Sequence, residues 1–174
     1  INIFEKTIRH DDSEKQTQDT KTQDKEAEEA KKMLDAEMLM FKFKDMQHYY
    51  VLLFDDDKID AIDLERRIRA FNDANYADKK LSATSTLFTM TKQILSVKRF
   101  RSKDEAMDYY NNINTVLKDF NQDQYIHFVI SIQNYPTFYK NKNIETYEKF
   151  FKLMYLTPIQ ESNTANETKN EEKQ

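Results

Sequence analysis

Three histidines are the first residues to ask about chemistry, and their placement favours none. His10 lies in a polar stretch, whereas His48 and His127 lie inside apolar runs, and no two stand at the spacing of a metal-binding pair. The densest acid cluster is Asp55-Asp56-Asp57-Lys58-Ile59-Asp60, which invites a calcium-loop reading. Such a loop needs a glycine at its sixth position and a distal bidentate Glu, and neither stands at the required offset. The cluster reads instead as a turn that places acids at a helix N-terminus. Cysteine is absent, which excludes disulfides, thiolate metal sites and thiol nucleophiles. Glycine is absent too, and with it the dinucleotide-binding and phosphate-loop motifs, whose backbones must approach phosphate closely. The serines have no nucleophile-elbow context. The expectation is a protein that is not an enzyme and uses no cofactor or metal.

Binding rather than reaction is therefore the class to weigh. An RNA-recognition sheet would carry aromatic rings flanked by glycine and basic residues on its two central strands. Here Ser96 and Lys98 occupy those positions, and 27 Lys+Arg stand against 31 Asp+Glu. Nucleic acid is not an expected partner. If one sheet face meets a partner, the candidates on it are Ser96, Lys98, Tyr125 and His127.

The elements that would position these residues follow from periodicity. His48 to Phe54 is apolar or aromatic at both alternating sets, as in a strand covered on both faces. Ala61, Leu64, Ile68 and Phe71 recur at helical spacing up to about Asn72 to Asn75. Leu81 to Met90, rich in Thr and Ser, suits an edge strand, and residues 93–100 form a second apolar strand after a short link at Thr91-Lys92. Ser102-Lys103-Asp104-Glu105 is a capping box opening a helix with Ala106, Tyr109, Ile113, Val116, Leu117 and Phe120 on one stripe. In the next strand Ile126, Phe128, Ile130 and Ile132 alternate with Tyr125, His127, Val129 and Ser131, which predicts one drier face. Pro136 suits the first turn of a short helix, and Asn143 the cap of a last one bearing Tyr147, Phe150 and Phe151. Asparagine is expected at left-handed turn positions, since no glycine is available.

This order of strand, helix, strand, strand, helix, strand predicts an α+β fold of the ferredoxin-like, split βαβ kind. Its four-stranded antiparallel sheet would be covered by two helices, with an additional C-terminal helix. The predicted domain spans 41–156. Residues 1–9 read as the end of an upstream, helical region, 10–32 as a charged linker running into a helix to about 40, and 157–174 as a disordered tail. The chain opens on Ile1 without a signal-peptide pattern, which suggests a piece of a longer protein, and no apolar run reaches the eighteen or so residues that span a bilayer.

The run from Gln93 to Ala106, a strand ending in Phe100 followed by Ser102-Lys103-Asp104-Glu105-Ala106, resembles the third strand and second helix of SPOR domains, envelope modules that bind glycan stripped of stem peptides. Several stretches together resemble the C-terminal region of the SprE/PorW family. These are His48 to Leu52, Phe71-Asn72, Ala106 to Asn111, Phe128 to Ser131, Asn134-Tyr135, Phe138-Tyr139-Lys140 and Tyr147-x-x-Phe150-Phe151. This second resemblance covers roughly residues 40–156. It implies a periplasmic, outer-membrane-associated lipoprotein with tetratricopeptide repeats, serving type IX secretion and gliding motility in Bacteroidetes. Its implied partners are other proteins of that machinery. The SPOR likeness implies peptidoglycan as the alternative partner, met by the face carrying Ser96, Lys98, Tyr125 and His127.

Overall fold

The computed structural model describes residues 31–33 and 35–157. The readings for residues 1–9, for the linker up to residue 30 and for the tail beyond residue 157 lie outside the described residues. Strands β1 (His48–Asp55), β2 (Ser82–Leu87), β3 (Lys92–Phe100) and β4 (Tyr125–Ser131) form one antiparallel sheet in the order β2-β3-β1-β4. The helices are α1 (Ala61–Asn75), α2 (Lys103–Asn112), α3 (Asn114–Leu117), α4 (Tyr135–Asn141) and α5 (Ile144–Phe151). The architecture is α+β and ferredoxin-like, with β1 and β3 central as the apolar run at 48–54 predicted.

Cross-strand partners share a face of a sheet, so the register assigns each side chain to a layer. Tyr50, Leu52 and Phe54 face α1 and α2, where Tyr109 packs edge-on to Tyr50 at 5.1 Å and against Phe100 at 5.1 Å. Tyr49, Val51 and Leu53 face the opposite layer. There Tyr135 meets Tyr49 at 5.2 Å, Phe138 meets Phe128 at 5.2 Å and Tyr147 meets Phe128 at 4.9 Å. Phe41, arriving from a helical turn at residues 35–38, closes that layer against Tyr147 at 4.8 Å. Each fully buried ring of this kind contributes roughly 1.5–3 kcal/mol.

That second layer corrects the reading of β4. One dry face was expected, but Phe128, Val129, Ile130 and Ser131 are all buried, because α2 covers one side and α4 with α5 the other. The terminal helix also wraps the free edge of β4. The Tyr147 hydroxyl donates to the Val129 carbonyl at 2.9 Å, and Phe151 reaches Tyr110 of α2 at 5.2 Å.

Local chemistry explains the remaining departures. The single helix expected after Ser102 is two, parted at Ile113, where side chains compete for helix carbonyls. Asn114 Nδ2 donates to the Asn111 carbonyl and Thr115 Oγ1 to that of Asn112, both at 3.2 Å. At the start of α2 the Ser102 hydroxyl accepts the Glu105 N–H, while the Glu105 carboxylate takes the N–H of Arg101 rather than that of Ser102. Asn143 makes no side-chain cap, and its amide donates to Glu37 instead. Among the described residues the left-handed positions fall to Lys80 (φ 50°), Arg99 (φ 88°) and Lys142 (φ 59°), not to asparagine. Arg99 sits where the β1–β3 register slips between His48 and Tyr50. Lys142 ends α4 with its N–H on the Phe138 carbonyl and its ammonium 3.6 Å from the Tyr139 ring centre.

Candidate functional site

The register divides the four candidate residues between the two faces of the sheet. Ser96 lies opposite Val51 on the layer of α4, and Lys98 reaches the Tyr49 ring on that same side at 5.3 Å. His127 lies opposite Leu52, and Tyr125 opposite Phe54, both on the layer of α2. Ser96 is moreover buried, with its hydroxyl 3.1 Å from that of Tyr135. A single binding face built from Ser96, Lys98, Tyr125 and His127 does not exist in this fold.

His127 serves the core instead. Its ring stacks on Tyr110 at 4.4 Å, and its Nδ1 lies 3.1 Å from the hydroxyl of fully buried Tyr50. Among the described residues that hydroxyl has no other acceptor in reach, which favours donation to Nδ1 and a neutral ring with its proton on Nε2. Burial holds His127 in this form by pulling its pKa down to about 4. His48 is held likewise: desolvation lowers its pKa, Nδ1–H donates to the Met46 carbonyl at 2.6 Å, and Nε2 receives the Tyr155 hydroxyl at 2.9 Å. Asp60, from the acid cluster, accepts the N–H groups of Ile62 and Asp63 at the start of α1. Among the described residues no three His, Asp or Glu side chains are grouped to hold a metal ion, and no helix is long and apolar enough to cross a membrane.

An open groove lies elsewhere, between α1 and the outer edge of β2. It measures about 710 Å³ and is lined by Ala61, Glu65, Arg66, Arg69 and Ala70 of α1 and by Ser85 of β2, among others. Ile62, 83% exposed, lines the groove together with Gln93, the cross-strand partner of Leu87, while Leu87 and Met90, 60% and 96% exposed, lie at the end of β2 and in the turn that follows it. At the other end is a smaller cavity of about 250 Å³ lined by Arg69, Asn72, Asp73, Lys80 and Arg99. Asn72 is 4% exposed; its Oδ1 accepts the Tyr109 hydroxyl at 2.7 Å, and its Nδ2 has no partner.

The edge itself is partly capped by side chains. Thr84 and Thr86 pair with Ser96 and Ile94, and Phe88 N–H meets the Lys92 carbonyl at 2.9 Å, so the even-numbered residues bond to β3. Ala83, Ser85 and Leu87 therefore direct their backbone groups outward. Arg69 donates to the Ala83 carbonyl at 3.0 Å, Glu65 accepts the Ser85 N–H at 2.9 Å, and the Tyr139 hydroxyl donates to the Leu87 carbonyl at 3.0 Å. Glu65 and Arg69 are themselves paired at 2.6 Å. Two sequence signals pointed here without being used: Ile62 lies off the apolar stripe of its helix, and β2 contains no charged residue or proline. In comparison with known proteins, this chain matches no family model, no curated protein and no solved structure.

Proposed function

We propose that this chain is a non-enzymatic protein-interaction module, working by contact with other proteins of the type IX secretion and gliding machinery. In this reading it is the C-terminal ferredoxin-like domain of a periplasmic component associated with the outer membrane, anchored through a lipoprotein signal elsewhere in the protein. The observation that carries the interaction reading is the exposure of large apolar side chains, Ile62 in the groove and Leu87 and Met90 at the end of β2 and in the turn after it. Apolar surface gathered beside a concave edge is what protein contact sites are made of.

The assignment to the secretion machinery rests on the SprE/PorW resemblance, whose residues are chiefly core: Tyr50, Asn72, Tyr109, Phe128, Asn134, Phe138, Tyr147 and Phe151 are all buried. They support kinship in fold rather than a shared contact surface. The glycan reading gains no support, since its four residues occupy two faces. Affinity capture with the 174-residue chain as bait, from cells that secrete by this route, tests the proposal. Machinery components are expected among the captured proteins and lost when Ile62, Leu87 and Met90 are changed to polar residues. Capture of peptidoglycan alone, or no capture, refutes it.

A further inference from the structure

We propose that β2 is a docking edge that takes an extended peptide segment of a partner protein as a fifth strand, with an acidic side chain of that segment received between Asn72, Lys80 and Arg99. The proposal rests on the interaction-module reading and names the chemistry of its partner.

The first reason is the state of the edge. Strands that must stay unpaired are blocked by lysine, proline or a bulge within the strand, and Ser82-Ala83-Thr84-Ser85-Thr86-Leu87 has none of these. Its protection is borrowed from α1 and α4 through the side chains of Glu65, Arg69 and Tyr139. An incoming backbone replaces each of these one for one: its carbonyl takes the Ser85 N–H from Glu65, and its N–H groups take the Ala83 and Leu87 carbonyls. It also meets the outward N–H of Ala83 and Leu87 and the carbonyl of Ser85, for which no side-chain cap is present among the described residues. Glu65 and Arg69 remain joined to each other when displaced, so the exchange strands no charge.

The second reason is independent of the first. Asn72 Nδ2 is a buried donor without a partner among the described residues, and Asn72 is one of the residues that line the cavity beside the start of β2. Buried amides are satisfied in nearly all folded proteins, so an unused one on a residue that lines a cavity marks a place for an acceptor. Arg69, Lys80 and Arg99 line the same cavity against one acid, Asp73, on a chain whose net charge is −4. Arg69 is matched by Glu65, so Lys80, Arg99 and the free amide are left to select a carboxylate. At the opposite end Ile62, Leu87 and Met90 select apolar side chains, so the partner segment is apolar at one end and acidic at the other.

The probe is the acetylated, amidated peptide Leu-Val-Thr-Val-Thr-Asp-Asp, written to run antiparallel to β2 and titrated into the full chain by amide NMR and fluorescence anisotropy. Shifts centred on the amides of Ala83, Ser85 and Leu87 are expected. N-methylation of the peptide at its edge-facing residues weakens binding at least tenfold, since it removes the ladder and leaves the side chains. Replacing both aspartates by asparagine weakens it several-fold, as does Lys80→Glu with Arg99→Glu. Leu87→Pro, at a position whose N–H is not used by β3, blocks binding without costing a ladder bond. Equal affinity for the N-methylated peptide, or no binding, overturns the proposal. So does a dimer of this chain joined at β2, which makes a second copy the occupant. A machinery protein captured by the chain and indifferent to Leu87→Pro refutes the docking edge while leaving the module reading intact.

Discussion

His127 offers a test of the core that can be worked through in numbers. Its ordinary pKa is 6.5 and its folded value about 4, because burial disfavours the charged ring. A folded pKa below the unfolded one means that the unfolded chain binds the proton first. The stability contribution is therefore complete above about pH 6.5, is lost as the pH falls toward 4, and changes no further below that. At about 1.4 kcal/mol per pKa unit, the full loss is about 3 kcal/mol, and about 2 kcal/mol of it is already gone at pH 5. Asp63 and Glu105, whose carboxyl groups are held below their usual range by Arg66 with Arg67 and by the Arg101 N–H with Lys79, give up their contributions at lower pH. His48 acts in the same direction as His127, so the comparison must be differential. The perturbation is His127→Gln, which keeps an acceptor for the Tyr50 hydroxyl and does not titrate. Urea unfolding followed by circular dichroism at about pH 7.5 and pH 5 is expected to show the parent protein losing about 2 kcal/mol more than the variant. Equal losses in the two proteins refute the assignment of a neutral, desolvated ring hydrogen-bonded to Tyr50.

Three further outcomes follow from the geometry. Asn72→Ala leaves the buried Tyr109 hydroxyl without its acceptor and is expected to cost about 1–3 kcal/mol in denaturant unfolding, with unchanged far-ultraviolet circular dichroism. Tyr147→Phe removes the donor to the Val129 carbonyl at the β4 edge. It should lower stability by about 1 kcal/mol and speed exchange of the β4 amides, read by hydrogen–deuterium exchange. Lys80→Gly relieves a left-handed residue that has no side-chain partner among the described residues and should raise the melting midpoint, with a gain of up to about 1 kcal/mol. The same change at Lys142 brings no comparable gain, because it also removes the ammonium from the faces of Phe88 and Tyr139.

The topology was legible because its signals are local. The apolar run at 48–54 marks a central strand, and the alternation between helical and strand spacing fixes the order of elements around it. What escaped depends on distant pairing. Alternation within β3 separates Ser96 from Leu95, and within β4 His127 from Phe128, but only the register with Val51 and Leu52 says that Ser96 and His127 look in opposite directions. The double burial of β4 likewise follows from α4 and α5 folding back over it, which no pattern inside 125–131 encodes. The break at Ile113 was within reach, since Asn111, Asn112 and Asn114 are poor helix residues whose side chains bind nearby carbonyls. The groove was within reach too, through one apolar residue on the wrong side of α1.

The two margins of the sheet are unequal, and this limits how the protein can assemble. With α5 laid along β4 and Tyr147 bonded to its backbone, growth is possible past β2 alone. A body with a single sticky side saturates after one addition, so strand pairing yields a complex of fixed 1:1 stoichiometry and never an open filament. Concentrating the protein alone should therefore produce no fibres, and adding the partner segment should bring the mass of the complex to a plateau at 1:1.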